Sequence, residues 1–135
     1  MAKSRMLLRN RDMYAPLKVR SHKDLIVWQK SMQLAVMVFE LSSKFPSAQT
    51  YGLTAQVGKS AASVPANMAE GHARASRKEY LHLVAIARGS LMETETFLML
   101  AARLNYVTRE EARPALELIT EISKMLAVLR KRLKD

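Results

Sequence analysis

Ser63-Val64-Pro65-Ala66-Asn67-Met68-Ala69-Glu70-Gly71 is the stretch on which the fold turns. A proline stands where a helix should continue, a carboxylate stands near the helix end, and a glycine follows where a helix can stop. Inside a helix, proline removes a backbone donor and clashes with the preceding turn, costing about 3 kcal/mol. The segment must therefore kink or restart with Pro65 in a first turn, and packing against other helices must offset the loss. Working back, Leu53, Val57, Ala61, Val64 and Met68 recur at spacings of three and four, so the spacing predicts a helix from about Leu53 to Glu70. Around this stripe Gly58, Ser60, Ala61, Ala62, Ser63 and Ala66 are all small, which lets a neighbouring helix approach closely.

Three further helices flank this one. Ser21 with Asp24 three residues on reads as a capping box opening the first, and Leu25, Trp28, Met32, Ala35 and Phe39 mark its expected core face. From Leu34 to Phe39, however, every residue is apolar, and a helix apolar all round is buried on more than one side. In so small a protein that points to a subunit interface. Phe45-Pro46 ends this helix. The third opens at Ser76 with Glu79 as capping partner, shows Tyr80, Val84, Ala87, Leu91, Thr94, Leu98 and Ala101 along one face, and continues to Leu104. Asn105 then suits a left-handed C-cap. Thr108 and Glu111 cap the fourth, where Ala112, Leu116, Ile119, Ile122, Leu126, Leu129 and Leu133 form a bundle seam. Helices of these lengths span roughly 27–43 Å, and short connections make neighbours antiparallel. The expected fold is all-α, an antiparallel up-down four-helix bundle over residues 22–135.

The chain has 135 residues, 49% of them hydrophobic, which suits one domain with its own core. Its 22 Lys and Arg against 12 Asp and Glu leave a net charge of +10, which favours an anionic partner. Residues 1–21 read as a basic tail: Lys3, Arg5, Arg9, Arg11, Lys18 and Arg20 stand against Asp12 alone, and Pro16 argues against one continuous helix. The tail is either a leader outside the fold or a nucleic-acid-binding arm. There is no cysteine, which excludes disulfides and thiolate chemistry and fits a cytoplasmic compartment. No apolar run reaches the roughly 18 residues of a membrane span, and the first residues lack the apolar core of a secretory signal.

Five motifs carry a family resemblance: Asp24-Leu25-Ile26-Val27-Trp28-Gln29-Lys30; Tyr51-Gly52-Leu53-Thr54-Ala55-Gln56-Val57; the stretch 63–71; Ala87-Arg88-Gly89-Ser90-Leu91; and Glu93-Thr94-Glu95-Thr96. In that order and spacing the chain resembles the four-helix-bundle family of 23S rRNA intervening-sequence proteins, a fold shared by accessory proteins of diversity-generating retroelements. The likeness covers about residues 22–133. It implies a ring-like homopentamer with a basic, nucleic-acid-binding surface, and no enzymatic activity or cofactor. The chain departs from the pattern at Gly58-Lys59, where the family usually has two basic residues; one charge of that contribution to binding is missing.

Positive charge is the leading functional signal. Arg74, Arg77 and Lys78 surround the second interhelical turn; Arg130, Lys131, Arg132 and Lys134 end the last helix, with Lys124 before them and Lys59 on the second helix. In an alternating bundle the turn and the chain end fall together, giving one patch that an oligomer would repeat. Dipole complementation explains the last turn of the chain but not the turn cluster. With few exposed aromatics expected, binding to RNA or DNA would run through phosphates, salt-sensitively and with little sequence preference. The rival is an adaptor whose basic face recruits an acidic protein such as a reverse transcriptase. Glu70 at a helix C-terminus opposes the macrodipole by about 0.3–1 kcal/mol unless a cation joins it; Arg74, Arg77 and Arg88 are candidates, and a network of Asn67, Glu70 and Arg88 that fixes helix register is expected. Gly52 to Ser60 imitates a phosphate loop with five residues between its glycines and no strand before it, so it fails as one. Glu79 and His82 have the spacing of a di-iron ligand pair, but the second pair is missing and no metal site is expected.

Overall fold

The structure, a computed structural model, describes residues 21–135. The basic tail lies outside the described residues, apart from Ser21. Four helices follow one another: α1 Ile26–Ser42, α2 Leu53–Ala73, α3 Arg77–Arg103 and α4 Arg109–Lys134, with short 3-10 turns at His22–Asp24 and Ser47–Gln49. Each helix packs on its neighbours in sequence and α4 closes back on α1, while the diagonal pairs α1–α3 and α2–α4 do not meet. The bundle is a square with one helix at each corner. Ion pairs fix the direction of α1 against α4: Lys44 meets Glu111 at 2.5 Å and Lys30 meets Glu121 at 2.7 Å, so one helix ascends as the other descends. Likewise Ser60 meets Thr94 at 2.8 Å while Gly71 lies against Tyr80 and Leu83, which makes α2 and α3 antiparallel. Among the described residues no helix is long and apolar enough to cross a membrane.

The α4 seam is as the spacing predicts. Ala112, Ile119, Ile122, Leu126, Leu129 and Leu133 are buried, and Leu116 packs half-buried beside them. Its capping box is complete: Thr108 Oγ1 accepts from the Glu111 amide at 3.0 Å and Glu111 accepts from the Thr108 amide at 2.8 Å. At the start of α3, Ser76 accepts from the Glu79 amide at 3.0 Å, but the Glu79 carboxylate does not return the bond, so the predicted box is a single cap. Asn105 does take the left-handed conformation, with φ 62°. The Tyr106 amide reaches back to the Ala101 carbonyl and the Asn105 amide to that of Ala102, the paired bonds of a Schellman ending.

The first helix corrects the reading of its face. Ser21 and Asp24 do form a reciprocal cap, but on the 3-10 turn; Leu25 is extended, and α1 begins at Ile26. Its core face is Val27, Ser31, Leu34, Val38 and Ser42, whereas Met32 and Phe39 are 43% and 56% exposed. Burying a serine is inexpensive here because its hydroxyl donates to the Val27 carbonyl at 2.7 Å, so the polar residue does not exclude that face from the core. Of the predicted stripe, Leu25 is buried and Trp28 and Ala35 pack half-buried against the core, while Met32 and Phe39 look outward beside Val36 at 58% exposed.

Through Pro65 the backbone stays helical, so α2 neither restarts there nor stops at Gly71. Gly71 lies inside the helix and serves close packing: a Cβ on it would come 2.9 Å from Tyr80 Cδ1 and 3.2 Å from Leu83 Cβ. Small residues bring α2 and α3 into the most extensive helix pairing of the bundle. The buried hydroxyls at that seam are satisfied, Ser60 and Thr94 by each other and Thr94 also by the Ser90 carbonyl at 2.8 Å.

Candidate nucleic-acid interface

The three-residue connection between α2 and α3 sets Arg74 at the end of one helix and Arg77 and Lys78 in the first turn of the next, all exposed. In the same structure α4 ends with Arg130, half-buried, and the exposed Lys131, Arg132 and Lys134. The end of α2 adjoins the start of the described chain, where α2 packs against the 3-10 turn His22–Asp24. Burial first, and His22 next, hold the His72 pKa below its usual value. Ser31 lies against Met68 and Phe39 against Gly58, so α1 is antiparallel to α2 as it is to α4, and the α2–α3 turn and the α4 terminus lie at one end of the bundle. Seven cations gather there against Glu70, Glu79 and Asp135, with Lys23 and Asp24 cancelling.

Dipole effects separate the members of this cluster. Cations in the last turn of α4 complement the negative end of that helix. Arg77 and Lys78 sit at the positive end of α3, where a cation is disfavoured by about 0.3–1 kcal/mol when exposed. The fold gains nothing from placing them there.

Two groups of expected site residues come apart. Lys124 stands six residues before Arg130, roughly 9 Å along α4 and within reach of the end cluster. Lys59 is exposed on α2 but fifteen residues before Arg74, roughly 22 Å away along the axis, and is not part of the cluster. The network of Asn67, Glu70 and Arg88 does not form. Glu70 pairs instead with Arg74, one turn on, at 2.7 Å, and this hydrogen bond raises the Arg74 pKa. Asn67 donates to the Ser63 carbonyl at 2.8 Å. Arg88 shares a side of α3 with Met99, three turns later, and Met99 lines a groove shared with α4, so Arg88 is turned away from α2.

At the opposite end that groove encloses about 430 Å³ between α3 and α4. Met99, Ala102, Ala112 and Leu116 form its apolar floor, with Arg103, Arg109 and Arg113 around it. Arg113 is paired with Glu110 at 2.8 Å. Among the described residues no cluster of His, Cys, Asp or Glu could hold a metal ion, and Glu79 and His82 both lie exposed. The segment that imitates a phosphate loop is the first turns of α2.

Sequence reasoning missed a helix face. On α3, Ala85, Ile86, Gly89, Met92 and Thr96 share the outward side. A Cβ on Gly89 would meet nothing within 4 Å, yet glycine in mid-helix costs roughly 0.5–1 kcal/mol relative to alanine. That unexplained glycine was the available signal.

Comparison with known proteins places this geometry. Residues 23–128 match the family model for the 23S rRNA-intervening sequence protein. A search of curated proteins found no match. Among solved structures, the chain is similar to a protein of unknown function from the S23 ribosomal protein family of Bacteroides thetaiotaomicron, whose crystal structure was determined at 1.70 Å resolution. The two are 31% identical and superpose with a TM-score of 0.72 over 78% of this chain and 98% of the other.

Proposed function

The chain belongs to the 23S rRNA-intervening sequence protein family, and from that premise and the basic end of the bundle we propose that it is a non-enzymatic, cytoplasmic nucleic-acid-binding protein acting on RNA. The observation that carries this reading is the pairing of Arg77 and Lys78, set against their own helix dipole, with the cations that end α4. A phosphate brought to that end meets the positive N-terminus of α3 together with fixed cations from two helices. The aromatic rings at that end are already engaged, Trp28 with His22 and Tyr80 with His72, and all are partly buried, so base stacking contributes little and the backbone is the ligand. In a homo-oligomer, the homopentamer of the resemblance, each copy presents the same end, and one structured RNA can engage several at once.

Fluorescence anisotropy with a short structured RNA between about 50 and 200 mM salt tests this. Six to ten phosphate contacts would weaken affinity by roughly 10³–10⁵ over that range. The variant with Arg130, Lys131 and Arg132 all changed to glutamate should lose binding while circular dichroism stays helical; unchanged affinity would refute the α4 contribution. One observation favours a second reading, an adaptor for an acidic protein such as a reverse transcriptase: the apolar α3–α4 groove ringed by Arg103, Arg109 and Arg113 suits an acidic amphipathic helix. An adaptor would have little affinity for free RNA at any salt.

A further inference from the structure

Two outward faces of the protomer have no partner in it. One is the shallow groove beside α1, lined by Met32, Ala35, Val36 and Phe39 and enclosing about 530 Å³. Phe39 leans across Gly58 of α2, and beyond it Ala55 and Ala62 are exposed, so large side chains of α1 border a flat strip of small ones on α2. The other is the α3 face around Gly89, where the missing Cβ serves nothing within the protomer. A glycine flanked by Ala85, Ile86 and Met92 lets a second helix approach to backbone distance.

Charge matches the two faces. Glu40 and Lys59 flank the α1–α2 groove; Arg88 and Glu93 flank the Gly89 face. Among the described residues none of these four has an ion-pair partner. Each face offers one acid and one base, so two copies can meet without adding to the repulsion of a +10 chain. Pairing α1 with another α1 would leave the Gly89 face bare. We propose that the α1–α2 groove of one copy receives the Gly89 face of α3 from a second copy, head to tail. Because α1 and α3 occupy opposite corners of the square, the two faces point in different directions, so the contact is heterologous and each copy can bind two others, which forms a ring where the rotation between copies closes. The contact deepens the assembly proposed above and is independent of RNA.

The chain has no cysteine, so introduced thiols report one position each. Full-length Val36→Cys and Gly89→Cys proteins are mixed and treated with a short bis-maleimide linker. The mixture should give several-fold more covalent dimer than either variant alone. Equal yield from Val36→Cys alone would overturn the proposal, because α1 would then meet α1. Native mass spectrometry of the unmodified chain separates the remaining failures. A multimer without mixed cross-links refutes this contact only; a monomer refutes the contact and the proposed assembly together, leaving RNA binding to be judged by anisotropy. As a second variant, Gly89→Leu should keep its helicity, since the protomer has room for the side chain, and fall to monomer; a retained multimer would contradict the close approach.

Discussion

The two ends of this bundle carry similar residues in opposite states. At the end formed by the α1–α2 and α3–α4 connections, charges are balanced: Lys44, Arg103, Arg109 and Arg113 stand with Glu40, Glu110, Glu111 and Glu117. There Lys44 pairs with Glu111, Arg113 with Glu110, and Phe45 packs on Tyr106 with ring centroids 5.6 Å apart. At the other end cations outnumber acids, and Arg77 and Lys78 face their own helix dipole. The first end uses charge to close the fold. The second holds, in Arg77 and Lys78, charge that their own helix does not use, and such charge is the better pointer to a ligand than net charge alone.

That contrast can be broken experimentally. The largest effect is expected for Arg77→Glu with Lys78→Glu: RNA affinity should fall by roughly a hundred-fold if two phosphate contacts are lost near 0.1 M salt. Stability should move the other way, rising by up to about 1 kcal/mol, because acids suit a helix N-terminus. Chemical denaturation beside anisotropy reads both, and a parallel loss of both would make these residues structural.

Next in size is Gly71→Ala, near the basic end. Its Cβ would press on Tyr80, so a loss of about 1–3 kcal/mol is expected in urea titration. Tyr80 itself, its hydroxyl pKa pushed up to about 12 by burial, contributes stability below pH 10 that is lost as pH rises through that value. At the balanced end Thr108→Ala removes a reciprocal cap and should cost about 1 kcal/mol with RNA affinity unchanged.

The smallest effect concerns acid. Hydrogen bonds from Lys44 and from the Thr108 amide lower the Glu111 pKa to about 2. A depressed carboxylate contributes stability that is complete above its ordinary pKa of 4.5 and disappears as pH falls toward 2. Melting temperature should decline over that window, and less steeply in Glu111→Gln. The exposure of the group keeps the difference small.

How much of this was legible in the sequence depended on how local the cause was. The caps at Thr108 and Ser76, the left-handed Asn105 and the α4 stripe each follow from a few neighbouring residues, and all are in the structure. The core face of α1 was not legible: Leu34 to Phe39 offers apolar residues on every side, and only tertiary packing chooses Ser31 and Leu34 over Met32 and Phe39. Gly71 suggested a helix end because its real cause, the nearness of Tyr80, lies on another helix. Glu70 was expected to reach across to Arg88, but a partner one turn along its own helix was nearer. The basic cluster was readable because alternation alone brings the α2–α3 turn and the α4 terminus to one end. Its isolation from Lys59 follows from helix rise and was equally readable.

The most direct test of the claim that this end is the RNA-binding end compares two triple reversals of equal charge. One changes Arg130, Lys131 and Arg132 to glutamate; the other changes Arg103, Arg109 and Arg113. Both proteins are measured by anisotropy with the same RNA at low salt. Loss of binding in the first and near-native binding in the second is the expected result. Near-native binding in the first and loss in the second would contradict the assignment and move the ligand to the α3–α4 groove.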